Sequence, residues 1–423
     1  MNKFCVVLFV FSLVLTVSAE AAENSDSYGS IADYLDGVYG IDDNAGLTAF
    51  PVLNVPMGGR SEGMASAFTA VCDDISFIEY NPAGSSMLAR SEMAFFHNNW
   101  IADTKVEGAI FASRIKNLGL SGGAKWLYTP FTEYNIYGER VSKGYYSEAV
   151  AILNASYNFL AGYYFSGFSL GVNLKGAFRF VPDFTDNQDN IIAGSGRSQS
   201  AAMAMGDIGA LTRFNLFKFY NSRENNMSAA LVLRNAGPPA LDDPLPTVIC
   251  AAIAYKPIRP LLFSFDFTMP LNMADPALSE KPYFSVGTAL NVTGFLSMRA
   301  GILLKAGSTR LAVGSAITFD KIALDINYTL DLLTQLQPLN RISVGVRFDL
   351  GDQGRQTITE RVNSLYLTGL DAYSRGRYAE ARSCWEAALT LNPRFDPAIE
   401  SLKVLDGLEA VQHRIDDLQR LDF

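Results

Sequence analysis

The amino-acid sequence predicts an all-β transmembrane barrel of about 14 antiparallel strands, followed by a small C-terminal α-helical domain. Hydrophobic residues make up 49% of the 423 residues, including 28 Phe and 19 Tyr. Yet no run of about 18 apolar residues, the length that a membrane helix needs, follows the first 21. Between residues 91 and 350, apolar and polar residues alternate, and long links between the alternating segments are separated by short ones. A membrane barrel combines these features because its lipid-facing apolar residues alternate with polar lumen residues.

Residues 1–21 have the pattern of a signal peptide. Lys3 supplies a positive charge, residues 4–17 form a short apolar stretch, and small residues suited to cleavage follow at 17–21. This pattern predicts export of the mature chain. Residues 22–50 are polar and acidic, and they are predicted to form an N-terminal extension.

Residues 51–90 contain a compact segment rich in small residues that ends in a turn. Ser61 is positioned to cap a short helix through Ala70. Asn81 precedes Pro82, and a residue before proline is pushed out of the helical region, which predicts a turn. From these residues alone, an ordinary helix and turn before the first strand is the simpler interpretation, and an element that fits inside a barrel is the alternative.

The segment also contains a series of short motifs: Gly63-Met64, residues 67–71 (Ala-Phe-Thr-Ala-Val), Asp73-Asp74 and residues 80–84 (Tyr-Asn-Pro-Ala-Gly). They resemble the N-terminal signature of FadL-like outer-membrane barrels, the long-chain fatty-acid transporters and their relatives, which include the PorV-type proteins of secretion systems. The resemblance implies that residues 51–90 fold into the lumen as a hatch. It also implies a hatch gate at Asn81, Pro82, Ala83 and Gly84.

Alternating segments between residues 91 and 350 are predicted to be strands. In residues 263–269 (Phe-Ser-Phe-Asp-Phe-Thr-Met) every second residue is apolar, so one face is apolar and the other polar. A soluble β-sandwich shows the same alternation, which leaves both folds open. Strands are predicted near residues 97, 109, 123, 153, 173, 208, 231, 251, 265, 286, 299, 314, 326 and 345.

The lengths of the links separate the two folds. The links at 130–145, 182–200, 235–246, 270–281 and 331–340 are long and follow odd-numbered strands. Links after even-numbered strands are mostly short, such as 256–260, 292–294 and 320–321. Long loops on one side and short turns on the other favour an outer-membrane barrel, and an even strand number places both termini on the periplasmic, short-turn side.

Strand parity predicts which charged side chains point into the lumen. An ion-pair lattice that holds the wall in shape explains most of them. The functional alternative is that one or two cations bind the carboxylate of a substrate, since an arginine fork can hold a carboxylate bidentately. The predicted inward charges are Lys125, Lys175, Arg179, Arg213, Arg299, Arg310, Arg347, Asp207, Asp266, Asp325 and Asp349, and the substrate-binding candidates among them are Lys175, Arg179, Arg299 and Arg347.

Residues 351–423 are predicted to be helical and periplasmic. They would form a single two-helix repeat followed by a third helix. A domain of this size is too small to be stable alone, so it should pack on the barrel rim, on a second copy or on a partner protein. The sequence is consistent with two functions for this domain: a peptide-binding domain, or a helical tail without a ligand. Tyr373, Tyr378 and Trp385 are the candidates for partner binding. The helices match the tetratricopeptide pattern at Gly369, Tyr373, Gly376, Tyr378, Ala381, Trp385, Ala388 and Pro393.

Several functional classes find no support in the sequence. There are only 2 His, and no metal-ligand cluster, nucleophile elbow or phosphate loop is present, so neither an enzyme nor a metal or cofactor site is predicted. The net charge of −9 argues against nucleic acid as a partner. Cys72, Cys250 and Cys384 lie far apart and are odd in number, which predicts free thiols.

The family resemblance leads to two functional hypotheses. The first is an outer-membrane transporter that takes up hydrophobic small molecules, above all long-chain fatty acids: an apolar extracellular pocket captures the tail, and the head group settles among lumen cations. A shift of residues 81–83 then opens a path to the periplasm or the bilayer. This shift requires that residues 81–83 make few hydrogen bonds, which is the expectation for a movable kink. The second is a PorV-like scaffold or shuttle that binds exported or periplasmic proteins through the helical tail. A nonselective porin is a weaker third possibility. With its helical extension, the chain most resembles spirochaetal FadL-like proteins.

Overall fold

The structure is a computed structural model that describes residues 42–421, apart from 102, 135–136, 184–189 and 333–340. The predicted signal peptide and most of the predicted extension therefore lie outside the described residues. Within them, fourteen antiparallel strands form one closed barrel in sequence order. The strands are β1 (Glu92–Asn99), β2 (Lys105–Ile115), β3 (Leu118–Tyr134), β4 (Arg140–Phe159), β5 (Phe168–Phe180), β6 (Ala201–Phe214), β7 (Met227–Ala236), β8 (Val248–Ile258), β9 (Leu261–Pro270), β10 (Tyr283–Asn291), β11 (Leu296–Leu304), β12 (Arg310–Phe319), β13 (Ile322–Asp331) and β14 (Arg341–Asp349).

The wall closes through the first and last strands. Glu92 of β1 lies opposite Asp349 of β14, and Asn98 lies opposite Ser343. Each predicted strand centre falls inside one of the observed strands. The closed order confirms the predicted barrel and excludes the two-sheet sandwich, because a sandwich keeps free sheet edges.

The links between strands are sorted as predicted, with two differences. Those at 181–200, 237–247 and 271–282 are long, and they define the long-loop end of the barrel; the opposite end, with turns such as 320–321, is called the short-turn end. The predicted long link at 130–145 is wrong, because β3 and β4 remain paired as far as Tyr134 and Arg140. At the short-turn end, the β6–β7 link of residues 215–226 is longer than its neighbours there.

Strand β5 shows how the two faces of the wall differ. Leu170, Val172 and Leu174 are 43%, 52% and 63% exposed on the outside. Asn173 and Lys175, which alternate with them, are buried inside. An apolar exterior around a polar interior is the arrangement of a barrel that sits in lipid.

The hatch crosses the lumen from one end to the other. At the long-loop end the amide nitrogen of Ala49 donates to the carbonyl oxygen of Pro244, whereas β1 begins at the short-turn end. The described chain thus starts at the long-loop end. Both ends of the strand series, Glu92 and Asp349, lie at the short-turn end as predicted, whereas the N-terminus itself lies outside the described residues. The short helices of the hatch are Pro51–Leu53, α1 (Arg60–Gly63), Ile75–Glu79 and Pro82–Met87.

The predicted helix from Ser61 to Ala70 is wrong, since α1 is a single turn. Gly59, not Ser61, is its N-cap, and the Ser61 hydroxyl donates to the carbonyl oxygen of Gly58. Ala65 and Ser66 have φ angles of 51° and 68° in the left-handed region, which ends the helix. The chain thereby turns to follow the inner surface of the wall.

The C-terminal domain has a core of its own and consists of three helices. They are α2 (Arg355–Ser374), α3 (Tyr378–Leu391) and α4 (Asp396–Leu421). Gly369 lies against the Trp385 indole so closely that a Cβ at Gly369 would overlap the ring. This contact joins α2 and α3 into the helical pair that the sequence predicts. No helix in the described part of the chain is long and apolar enough to span a membrane.

Candidate functional site

The predicted gate lies on a row of small residues that crosses four strands. Gly119, Ser156, Gly171 and Gly209 lie directly opposite one another in β3, β4, β5 and β6. A Cβ at any of the three glycines would overlap atoms of residues 81–86. The row therefore lets the hatch backbone lie directly on the wall.

Wall side chains also hold this part of the hatch through hydrogen bonds. The Asn154 amide donates to the carbonyl oxygen of Pro82 at 2.9 Å, and the Ser169 hydroxyl donates to that of Ala83 at 2.7 Å. The backbone nitrogen of Ser86 donates to the Ser156 hydroxyl at 2.8 Å. The expectation of few hydrogen bonds at the gate is therefore wrong. A buried backbone without regular helix needs partners, and the polar lumen face supplies them.

Asn81 fixes the turn both within the hatch and against the wall, where its amide donates to the carbonyl oxygen of Ala210 at 3.3 Å. Its side-chain oxygen accepts a hydrogen bond from the Ala83 nitrogen at 3.0 Å, and its amide donates to the carbonyl oxygen of Thr69 at 3.0 Å. An added Cβ at Gly84 would overlap the Phe77 side chain. Residues 81–84 thus form an anchor for the hatch in this structure.

The four predicted substrate cations point inward, but they lie on different sides of the lumen. Lys175 pairs with Asp207 at 2.7 Å, and Arg299 pairs with Asp325 at 2.6 Å. Arg347 contacts Asp325 and the hatch residue Asp74, each at 3.0 Å. These three belong to the ion-pair lattice that was the alternative to a substrate role.

Arg179 is bound less completely than the other three. Its closest carboxylate is Glu148 at 3.8 Å, and its guanidinium lies 5.2 Å from the centre of the Phe50 ring. The Nε and Nη2 atoms are buried and have no hydrogen-bond partner within the described residues. Of the four candidates, Arg179 therefore retains the most donors for an incoming carboxylate.

The apolar pocket expected at the long-loop end is filled by the chain itself. Phe50, Val52 and Met57 are buried there. Two cavities found beside them, one lined by Leu47 and Pro244 and the other by Val55 and Tyr80, measure about 30 and 80 Å³. Ligand pockets usually measure about 300–1,000 Å³, so neither cavity holds a fatty acid unless residues 49–57 move.

Larger spaces lie at the short-turn end, beneath the hatch. The first, called the inner chamber, measures about 700 Å³ and is bounded by the hatch, the ends of strands β2 and β6–β9, and the β4–β5 and β6–β7 links. The second measures about 320 Å³ and includes Arg60, Arg299 and Arg347 in its lining. Leu262 lines the first and its strand partner Ala289 lines the second, so the two spaces adjoin. The Arg60–Asp73 ion pair, at 2.6 Å, stands between them.

Asp73 carries its charge in a strongly positive setting. Burial alone would raise the pKa of its carboxyl, but Arg60, Lys256 and Arg213 together lower this pKa to about 2. Attraction to nearby positive charges favours the ionised form. Asp73 is therefore ionised at any physiological pH.

Three cations of the inner chamber were not among the predicted substrate-binding residues, and only Arg213 of the three was among the predicted inward charges. Arg114, Arg213 and Lys256 are half-buried and line this space. Each lies within three residues of the end of an even-numbered strand, namely β2, β6 and β8. Because even-numbered strands end at the short-turn end, this pattern was available in the sequence.

The helical domain docks on the β4–β5 link at the short-turn end. The rings of Tyr163 and Phe395 lie edge to face, with centroids 5.1 Å apart. The backbone nitrogen of Tyr163 donates to Asp396 at 3.1 Å, and the Tyr164 hydroxyl donates to Glu400 at 3.1 Å. Of the three packing surfaces that were considered for this domain, the barrel rim is the one that it contacts here.

The three predicted partner-binding residues differ in their exposure. Trp385 is 1% exposed and lies in the core of the helical domain, where Tyr373 packs on it with ring centroids 5.8 Å apart. Trp385 therefore cannot contact a partner, a correction that follows from its role between the two helices. Tyr378 is exposed and remains a candidate. Among the described residues, no group of three or more His, Cys, Asp or Glu side chains is arranged to hold a metal ion.

Comparison with known proteins gives one family and several distant structural relatives. A family model described as "Uncharacterised protein family (UPF0164)" matches residues 36–353. A UPF0164 protein of Treponema pallidum (strain Nichols) is 31% identical over 367 residues, which cover 82% of this chain and 80% of that protein. A second one from the same organism is 24% identical over 397 residues, or 86% and 77% of the two chains.

Among solved structures, the Pseudomonas putida toluene transporter TodX is similar with a TM-score of 0.45 and 11% identity, covering 68% of this chain and 95% of its own. The Acinetobacter baumannii outer membrane protein Omp33 is similar with a TM-score of 0.33 and 10% identity, covering 62% and 98%.

Proposed function

This chain belongs to the UPF0164 family, and we propose that it is an outer-membrane transporter that takes up hydrophobic small molecules, most specifically long-chain fatty acids. The observation that carries the proposal is a barrel with an apolar exterior whose lumen is crossed by a hatch anchored on its wall. Such a lumen passes selected molecules after a rearrangement rather than solutes in general, which favours a transporter over a nonselective porin.

The movable part of the hatch is the segment of residues 49–57, rather than the anchored turn at 81–84. The Val52 nitrogen donates to Glu148 at 2.9 Å, and the Met57 nitrogen donates to Glu79 at 3.0 Å. The Ala49 nitrogen also donates to the carbonyl oxygen of Pro244 at 2.8 Å, and the Asn98 amide donates to that of Pro56 at 3.0 Å. Phe50, which is not a glycine, has a φ of 55°. A left-handed conformation of this kind costs free energy, which a rearrangement of the segment would release.

A hydrophobic acid replaces this segment in the proposed mechanism. Its apolar tail occupies the volume that Phe50 and Val52 fill in this structure. Its carboxylate competes with Glu148 for the unsatisfied donors of Arg179, where a bidentate contact is possible. The resemblance of residues 63–84 to FadL-like hatches supports a long-chain fatty acid as the ligand.

The runner-up is a PorV-like scaffold or shuttle, with the helical domain in the periplasm as its binding surface. It is favoured by the exposed apolar residues of α4, namely Val404, Leu408 and Val411, which extend beyond the contact with the barrel. Exposed apolar patches mark interaction sites more often than chance. Tyr378 lies on the same domain and is the remaining aromatic contact for a partner.

Native mass spectrometry with lipid extraction, on protein purified gently from outer membranes, separates the two functions. A bound fatty acid in stoichiometric amount that exchanges with added oleate supports the transporter, and Arg179→Gln should weaken oleate binding. Arg197→Gln, in the exposed β5–β6 loop, is the matched control. A ligand-free barrel that keeps a protein partner, and loses it when residues 355–423 are deleted, supports the scaffold and contradicts the transporter.

A further inference from the structure

The inner chamber is lined by more cations than carboxylates. Within the described residues, Arg114, Arg213 and Lys256 form no ion pair. Arg213 donates to the carbonyl oxygens of Val71 and Cys72 at 3.2 and 3.1 Å. Carbonyl oxygens satisfy the N–H groups but leave the full charge of the guanidinium in place.

A second guanidinium lies close to Arg114. Arg114 and Arg355 of α2 both donate to the carbonyl oxygen of Leu88 at 3.2 Å, and Arg355 also donates to that of Ala89 at 2.6 Å. Two guanidinium groups that share one acceptor repel each other. A bound anion would relieve this repulsion and take up the remaining donors.

This arrangement contrasts with that of the lumen cations on β3, β5 and β11. Lys125, Lys175 and Arg299 each have a carboxylate within 2.7 Å. The two acidic residues that line the inner chamber are outnumbered by its four cations, Arg114, Arg213, Arg223 and Lys256. Asp73 is already paired with Arg60, and Glu224 follows directly after Arg223, which also lines the space.

The rest of the lining is mixed: wall residues Asn158 and Ser228 are polar, and apolar side chains come from both the hatch and the wall. Val71 and Met87 come from the hatch, and Met227 and Leu262 come from the wall. With about 700 Å³, the space falls in the usual range for small-molecule sites, about 300–1,000 Å³. A cluster of cations beside an apolar surface suits a molecule with an anionic head and an apolar tail.

We propose that the inner chamber is a second ligand site, on the short-turn side of the hatch, that holds the carboxylate of an amphiphilic acid with Arg114, Arg213 and Lys256. Val71, Met87 and Leu262 contact its apolar tail. The inference rests on the proposed transport function and adds a place where the acid is held after it has passed the hatch. The local positive charge attracts the head group across the lumen and keeps it from returning.

Lys256 gives the cleanest test of this site. In the described chain its Nζ atom donates no hydrogen bond, so replacing Lys256 removes a positive charge without removing a hydrogen bond to the hatch. The full-length protein in a nonionic detergent is titrated with oleate by calorimetry. Lys256→Gln should weaken oleate binding about tenfold, as expected for one charged hydrogen bond, and Lys256→Glu should weaken it more. Lys256→Arg should restore it, and Lys321→Gln, an exposed lysine in a turn at the same end, should leave it unchanged. Oleyl alcohol, which has no carboxylate, should bind the wild type and Lys256→Gln equally.

The position of the ligand is tested by photolabelling with an oleate analogue that carries a diazirine in mid-chain. Labelled peptides should include residues 71–89 and 254–262, and Lys256→Glu should reduce this labelling. This readout on the wild-type protein remains informative if a variant fails to fold.

The possible failures are distinguishable. If the wild type binds no oleate, the proposed function itself is wrong. If it binds oleate but the Lys256 variants bind equally well, or labelling is confined to residues 49–57, only the second site is wrong. Stronger Lys256-dependent binding of lysophosphatidylglycerol than of oleate would assign the site to a lipid phosphate and overturn the carboxylic acid.

Discussion

The side-chain amide of Asn154, in β4, donates hydrogen bonds both to the carbonyl oxygen of Pro82 at 2.9 Å and to the side-chain oxygen of Asn173 at 2.8 Å. One wall residue therefore joins the hatch to a row of polar side chains that continues from Asn173 to Asp207 at 2.7 Å. Because these groups are buried, each lost partner leaves an unsatisfied polar atom. The turn at residues 81–84 is consequently among the most firmly held parts of the lumen.

A methyl group on the glycine row should loosen the hatch. In Gly171→Ala, the new Cβ would overlap the backbone of Pro82 and Ala83, which should cost about 1–3 kcal/mol of unfolding free energy, as for other overpacked sites. Gly122→Ala is the matched control, because its Cβ would meet its nearest neighbour, the Ile152 carbonyl oxygen, at 3.7 Å. The folded barrel and the heat-unfolded chain migrate differently on gels. The temperature at which the folded band disappears should be lower than in the wild type for Gly171→Ala but not for Gly122→Ala. Equal midpoints would contradict the close contact.

Removal of residues 52–88 should open the lumen to ions. The deleted residues supply the buried side chains, such as Phe68 and Phe77, that fill the barrel, and a barrel without them should conduct at a porin-like level. Conductance in planar bilayers is the measurement. Deletion of residues 355–423, which lie outside the lumen, should leave conductance near the wild-type value. Unchanged conductance after the hatch deletion would falsify the plug.

Tyr163→Ala should release the helical domain from the barrel. The substitution removes the ring contact with Phe395, and an aromatic pair contributes about 0.5–1.5 kcal/mol beyond its buried area. Hydrogen exchange in residues 159–168 and 395–400 should increase. Phe219→Ala, at a 77% exposed position in the β6–β7 link, should change neither segment. If exchange in both segments stays the same, the domain is held by other contacts.

Trp385→Ala should unfold the helical domain but not the barrel. The side chain is 1% exposed, and replacing such a residue by alanine costs roughly 3–5 kcal/mol. Limited proteolysis should then cleave residues 355–421 while the barrel keeps its heat-modifiable migration. Tyr378→Ala, on the surface of the same domain, should cost within about 0.5 kcal/mol. A protease-resistant tail in Trp385→Ala would contradict the assigned core.

Acid should weaken the Arg60–Asp73 link only at low pH. The folded-state pKa of Asp73, about 2, lies below the usual value of about 3.9. The link therefore contributes stability that is fully present above about pH 4 and is lost as the pH falls towards 2. The cations that lower this pKa are Arg60, Lys256 and Arg213. Asp73→Asn should remove this loss of stability between about pH 4 and pH 2 from the acid unfolding curve. An unfolding curve identical to that of the wild type would contradict the prediction.

The sequence determined the wall of this protein by itself. Residues 263–269 alternate strictly, and a period of two assigns each side chain to one face without knowledge of its neighbours. The same local rule placed Lys175 and Arg347 in the lumen, and it located all fourteen strands. Gly369 and Trp385 likewise specified a helical pair, because both lie on helices of recognisable period.

The tertiary structure decided what those residues contact. Only the register of β3 to β6 brings Gly119, Ser156, Gly171 and Gly209 into one row, and this row turned the predicted gate at residues 81–84 into an anchor. Only the folded barrel decided that Arg347 meets Asp325 and Asp74, while Arg213 and Lys256 form no ion pair within the described residues. Strand period is a local property that the sequence shows directly. Ion pairs and close backbone contacts join residues that are distant in the sequence, such as Arg347 and Asp74 or Gly171 and Pro82, and the folded barrel alone brings them together.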